Sequence, residues 1–311
     1  MRTAWLDEAL EQLAGSRSWG YYLGGPAATE PTALAALALL RHGHGQAAVE
    51  ALDWLAGNQQ ADGSLGVDAQ TPRPAWPTGW AILAWQAAVR ALPESNSGGP
   101  AVRAVDNEAT SPSDSTSRTP SLRRWSDAAQ RAVAWVLSVR GPSQPRSKLF
   151  GHDTMLQGWP WVEQTQSWVE PTAINLWALK QSGHAADTRA REAVAMLLDR
   201  MLPQGGWNYG NTVVLGTTLR AHVQPTGLAL AALAGEAQAA SCVQRSLKYL
   251  EQVLCARTPG VSLGFALVGG AAHGWRPRSA GEWLAAAYRR SVERGPSAYR
   301  LALLALAAGE P

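Results

Sequence analysis

Pro31-Thr32-Ala33-Leu34-Ala35-Ala36-Leu37-Ala38-Leu39-Leu40 is a helical stretch with no polar side beyond its first turn. A helix that is apolar all round has to be buried all round, and its alanines let neighbouring helices approach closely. Five more prolines open runs of the same kind, at about 77–92, 171–182, 225–234, 259–271 and 296–308. The next residue repeats as well: Thr32, Thr78, Thr172 and Thr226 follow four of the prolines, and Ser297 follows Pro296. Proline suits the first helical position, where its missing N–H would be unpaired anyway and its fixed φ fits the helix. The recurrence says that one structural unit is used six times.

Amphipathic helices alternate with these runs. Val49, Leu52 and Leu55 share one face of about 46–58, Val133, Val136 and Leu137 do so in 125–139, and Leu247, Leu250 and Leu254 do so in 238–254. Similar helices are predicted at 3–14, 187–201 and 279–293, and no convincing alternating strand appears. Six buried and six amphipathic helices in alternation predict an all-α fold, an α/α toroid with an inner ring inside an outer one. A helical solenoid is the competing architecture, but its helices each expose a face, and these inner ones do not.

The 311 residues therefore read as a single domain, 1–311. Successive prolines are 34 to 54 residues apart except for one interval of 94. That interval holds a Ser/Pro/Thr/Gly-rich segment, 93–124, expected to be a disordered surface loop. It also holds an aromatic stretch, 141–170, with Trp159, Trp161 and Trp168, where a ligand site is expected. A net charge of +3 without a basic block argues against a nucleic-acid partner. Cys242 and Cys255, placed on one predicted helix, stand too far apart along it to pair. The first residues carry no signal-peptide pattern and no run approaches 18 apolar residues, which predicts a cytoplasmic protein; peripheral contact with a membrane face stays open.

A second motif follows the outer helices. Trp54-Leu55-Ala56-Gly57-Asn58-Gln59 leads into Gln60-Ala61-Asp62-Gly63-Ser64-Leu65, a looser copy is Leu197-Leu198 with Gln204-Gly205-Gly206-Trp207, a third at Trp135-Val136 has Arg140 in place of the Gln, and Ser18-Trp19-Gly20-Tyr21 keeps the closing half. This resembles the Gln-Trp repeat of squalene and hopene cyclases, with Leu65 standing where that family prefers Trp. The chain is similar over essentially its whole length to the superfamily of terpenoid cyclases and protein prenyltransferases. The resemblance implies the same toroid and an isoprenoid or other apolar small-molecule or lipid ligand in a central cavity.

The same resemblance points to Glu170. In Trp168-Val169-Glu170-Pro171-Thr172-Ala173 it takes the place of the proton-donating Asp in the acidic box of alkene-protonating cyclases, while the flanking carboxylates become Trp168 and Pro171. Glu30 precedes Pro31 as Glu170 precedes Pro171, and is the second catalytic candidate. Both positions also suit the positive end of a helix. Trp76, Trp80, Trp159, Trp161, Trp168, Trp207 and Tyr209 are the candidate ligand-binding aromatics, since aromatic faces stabilise carbocations and stack on sugars. The zinc site of protein prenyltransferases needs Asp, Cys and His, and no Asp-x-Cys pair is present; His42 and His44 alone make a weak metal site, so neither metal nor cofactor is expected. Two other readings share the barrel: a binding or scaffold protein without catalysis, and a carbohydrate-active glycosidase or lyase using two carboxylates.

Overall fold

A computed structural model describes residues 3–22, 24–92, 115–147 and 150–309. The outer helices are α1 (Ala4–Ala14), α3 (Gly45–Gly57), α5 (Ser115–Ser138), α7 (Thr188–Asp199), α9 (Ala240–Val253) and α11 (Ala280–Glu293). The inner helices are α2 (Thr29–Arg41), α4 (Thr78–Ala91), α6 (Val169–Gln181), α8 (Val223–Ala232), α10 (Gly260–Ala271) and α12 (Ala298–Ala308). A two-residue hairpin, β1 (Val213–Val214) with β2 (Thr217–Thr218), decorates the loop before α8.

The inner helices pack in the cyclic order α2, α4, α6, α8, α10, α12, and α12 returns to pack on α2. That last contact closes the ring and rules out an open solenoid. One outer helix returns the chain between each inner helix and the next, so all six inner helices point the same way. Alanine and glycine set the spacing between them. Along α8 and α10 a Cβ added at Gly227 would lie 2.3 Å from the Phe265 carbonyl oxygen, and one at Gly269 would lie 2.0 Å from that of Gly227. Only glycine permits two backbones to touch in this way.

The prolines are used differently from the sequence expectation. Pro31, Pro171 and Pro225 are third residues of their helices, Pro77 and Pro259 are N-caps, and Pro296 precedes the N-cap Ser297. The tolerance has the same cause, because the whole first turn lacks acceptors for its N–H groups.

The threonines after four of the prolines build the repeat. Thr172 and Thr226 accept the backbone N–H of Trp159 and Trp207, each at 2.9 Å, and Thr78 accepts that of Leu65 at 2.9 Å. Thr32 instead donates to the Trp19 carbonyl at 3.3 Å. The indoles complete the tie on the other side: Trp19, Trp159 and Trp207 donate from Nε1 to carbonyls of Leu13, Val136 and Leu197, near the ends of the preceding outer helices. Each unit thus clamps the end of an outer helix to the head of the next inner one. Gln59 adds a lateral tie, donating to the carbonyls of Gly63 (2.9 Å) and of Ala128 in α5 (2.8 Å). Gly63 and Gly205 sit in equivalent turns at φ +93°, pressed on the Arg131 and Arg245 carbonyls of the next outer helix, where no side chain fits.

Of the segment expected to be a disordered loop, 93–114 lies outside the described residues. Helix α5 begins at Ser115, ten residues earlier than the hydrophobic pattern indicated. Leu122 and Trp125 are buried, and the Trp125 indole donates to Asp53 of α3 at 2.9 Å. That tertiary contact overrides the loop-like composition. Cys255 is exposed two residues beyond the end of α9, so the cysteines do not share a helix; both are free.

Candidate functional site

Glu30 and Glu170 are second residues of α2 and α6, and both are buried, at 7% and 4% exposure. The ring brings them together: the charge of Glu170 is one cause of the raised pKa of Glu30. Burial comes first among those causes and pushes Glu30 up to about 8, while a hydrogen bond from the Tyr21 hydroxyl to Glu30 Oε2 at 2.8 Å pulls the other way. Burial likewise raises Glu170 to about 7, opposed by the side chain of Gln224 at the head of α8. Glu170 Oε1 is enclosed and has no hydrogen-bond partner among the described residues. Tyr299 from α12 packs edge-on to Tyr21 with ring centroids 5.1 Å apart, and burial raises its pKa well above normal. Two buried carboxylic acids and two half-buried phenols therefore gather at the heads of α2, α6 and α12.

A layer of aromatic rings lies next to the acids. Trp80 of α4 meets Trp177 of α6 edge-on at 6.0 Å and Phe265 of α10 at 5.9 Å. The Trp80 indole N–H lies close enough to Glu30 to lower its pKa, yet forms no well-aligned hydrogen bond among the described residues. On the other side of these rings is a cavity of about 510 Å³. Leu34, Leu37, Leu83, Leu303 and Leu306 line it, and Arg41, Arg90 and Gln181 stand at its rim. The rim residues lie at the C-terminal ends of α2, α4 and α6, so this cavity opens away from the helix heads. Side-chain cations and imidazoles satisfy the helix ends there: Arg90 donates to the Gln181 carbonyl at 3.2 Å, His273 to that of Leu230 at 2.8 Å and Arg276 to that of Ala307 at 2.8 Å. His42 is used in the same way, donating to the Ala305 carbonyl at 2.8 Å.

A second opening, about 430 Å³, lies at the heads of α8 and α10 and is lined by Tyr209, His222, Gln224, Tyr249 and Thr258 among others. Tyr209 is 44% exposed, stacks on His222 at 5.3 Å and feels the charge of Glu170. Glu30 and Glu170 thus lie between two openings, with Trp80 on one side and Gln224 on the other.

The remaining sequence candidates are dispersed. Trp76 and Trp161 form an edge-to-face pair at 4.6 Å, both half-buried. Trp168 is the half-buried N-cap of α6 and packs on Gly210. Trp159 and Trp207, expected to shape the pocket, are fully buried between the two helical layers. Their N–H groups are committed to outer-helix carbonyls, and Arg189 lies over the Trp159 ring at 4.1 Å. Neither indole lines the two openings. Sequence reasoning missed Tyr21, Tyr299 and Phe265. Tyr299 carried a signal, being the one phenol in the apolar run after Pro296; Phe265 is one apolar residue among many and carried none. Among the described residues no cluster of three or more His, Cys, Asp or Glu side chains could hold a metal, and no helix is long and apolar enough to cross a membrane.

A scan against protein families finds no match, and a search of curated proteins finds none either. Solved structures do match. An apo structure of a single-residue variant of the type II terpene cyclase MstE from Scytonema superposes with a TM-score of 0.53 at 15% identity, covering 93% of this chain and 78% of that one. The fold is terpenoid cyclase-like. A second apo structure of MstE from Scytonema has a TM-score of 0.35 at 18% identity, with 80% of each chain covered. The terpenoid cyclase-like toroid is what the first of these likenesses establishes, since 15% identity carries the backbone arrangement alone.

Proposed function

We propose that this toroid takes an isoprenoid or similarly apolar, unsaturated ligand into the 510 Å³ cavity and starts its rearrangement by protonation, in the manner of a terpene cyclase. The observation that carries the reading is the pair Glu30 and Glu170, buried beside Trp80 and holding their protons near neutral pH. A proton donor has to be protonated at the working pH, and a pKa near that pH is the favourable range. Glu30 also supplies, from α2, a second carboxyl that the positions of Trp168 and Pro171 do not. Trp80, Trp177 and Phe265 offer aromatic faces to a developing cation.

The backbone adds a field in the required direction. Each inner helix carries roughly half a positive charge at its head and half a negative charge at its tail. The acids lie at the heads, where the conjugate base is stabilised. The cavity opens at the tails, where a cation is stabilised. Neither acid lines the cavity, so the transfer requires the Trp80, Trp177 and Phe265 layer to give way to the ligand; a proton moved that way travels down this field. The apolar lining weighs against the glycosidase reading of the same two carboxylates.

The test is incubation of the purified protein with squalene and shorter polyprenyl compounds, followed by gas chromatography–mass spectrometry. Cyclised or isomerised product is expected, and Glu30→Gln and Glu170→Gln should each lower its rate at least a hundredfold with unchanged helical melting. Full activity in both variants would sink the assignment. Saturable ligand binding without product would instead favour a binding protein on the same barrel, the reading that the positions of Trp168 and Pro171 support.

A further inference from the structure

The 510 Å³ cavity has a floor, a wall and a mouth, and each restricts what can occupy it. Trp80, Trp177 and Phe265 form the floor, leucines and alanines the wall, and Arg41, Arg90 and Gln181 the mouth. Trp80 and Arg90 lie on the same helix, α4, and at 1.5 Å per residue their separation sets a depth of about 15 Å. At ~30 Å³ for each carbon-sized unit, the share of a water in the liquid, the volume holds about seventeen units. A chain of three isoprene units, about fifteen carbons, meets both limits. On the same count a chain of six isoprene units needs about 900 Å³ and does not fit.

The mouth restricts the other end of the ligand. The negative tails of α2 and α4 favour cations, and their last turns carry Arg41 and Arg90. Backbone acceptors at the mouth are already used: the Gln181 carbonyl takes Arg90 Nη1 at 3.2 Å, and the Ala307 carbonyl takes Arg276 at 2.8 Å. No carboxylate is among the described residues that line the cavity. Arg90 is exposed, and that one bond is all it makes among the described residues, so most of its N–H donors stay available. A mouth with donors in excess matches a head that only accepts. Carboxylate and phosphate are such heads, and a guanidinium meets either with paired, charge-assisted hydrogen bonds. A neutral hydroxyl offers no such pair, and an ammonium is repelled.

We infer that the cavity takes a single-chain amphiphile of three isoprene units or equal length, its carboxylate or phosphate head held at the mouth by Arg90 and its far end against Trp80. The inference rests on the proposed use of this cavity, but its test reads binding and needs no turnover. The test is calorimetry and tryptophan fluorescence on the intact chain, with each compound below its micelle concentration. Farnesoic acid and farnesyl phosphate carry the two anionic heads, farnesol and farnesylamine replace them, and geranoic acid and squalene change the length. At least one of the two farnesyl anions should bind at least tenfold tighter than all four comparison compounds, and the tighter anion names the head. Arg90→Gln should bring the anions to within about threefold of farnesol with melting unchanged. Leu37→Trp, which fills part of the wall, should weaken the farnesyl anions at least tenfold and geranoic acid less. Squalene or farnesylamine binding as tightly as the anions, or anion affinity indifferent to Arg90→Gln, would overturn the inference. Tight anion binding without cyclised product would uphold it and sink the cyclase reading. Product from squalene with no saturable binding of either anion would do the reverse.

Discussion

The protonated state of Glu30 has a consequence that needs no substrate. Its carboxyl titrates at about 8 in the fold and at the ordinary 4.5 in the unfolded chain. Between these values the folded protein holds a proton that the unfolded chain has released. Stability therefore falls as pH rises through this window, by up to ~1.4 kcal/mol per pH unit. From pH 5 to pH 8 the loss is on the order of 4 kcal/mol. Glu170, raised to about 7, acts in the same direction. His152 acts oppositely below 6.5, because its folded form resists the proton that the unfolded chain accepts. Comparison with Glu30→Gln isolates the one group: the amide oxygen keeps the acceptor for Tyr21 and does not titrate. Urea unfolding followed by circular dichroism should find wild type and Glu30→Gln similar at pH 5. At pH 8 the variant should be the more stable by a few kcal/mol. In a Glu170→Gln background the difference should shrink, since part of the shift at Glu30 comes from the Glu170 charge. Equal offsets at both pH values, or a variant less stable at pH 8, would refute the claim that Glu30 is buried as the neutral acid.

The threonine clamps give a graded prediction: Thr226→Val and Thr172→Val each strand the buried N–H of a tryptophan and should cost about 1–3 kcal/mol in urea unfolding. Thr32→Val strands no N–H and should cost less. Trp207→Phe removes the hydrogen bond to Leu197 and should destabilise by a similar ~1–3 kcal/mol while leaving apolar-ligand affinity within twofold, whereas Trp80→Ala should change that affinity tenfold or more, read by fluorescence titration.

The architecture was legible because it rests on patterns that burial enforces. A run such as Ala33–Leu40 has one solution, a helix with packed neighbours on every side, and six of them alternating with amphipathic helices have few. Glu30 and Glu170 were legible for the same reason, since the prolines mark equivalent positions in two repeats. The tryptophans were not. Trp80 and Trp207 each follow a glycine, yet one lies in an inner helix beside the buried acids and the other is spent on a carbonyl of the outer layer. Which carbonyls need a donor is decided by how the layers pack, and no local pattern carries that. The position of the cavity was hidden for a related reason. The aromatic loop 141–170 drew attention to the helix heads, whereas the larger apolar space lies at the tails, where Leu34, Leu83 and Leu303 fail to meet across the ring.

Closure of the ring also explains why the acids could not be understood from their own repeats. Glu30 receives its hydrogen bond from Tyr21, just ahead of α2, and its neighbour Tyr299 comes from the last helix of the chain. Glu170 is contacted by Gln224 from the next inner helix. Each carboxyl is held by groups that meet only when α12 packs on α2 and α8 packs on α6.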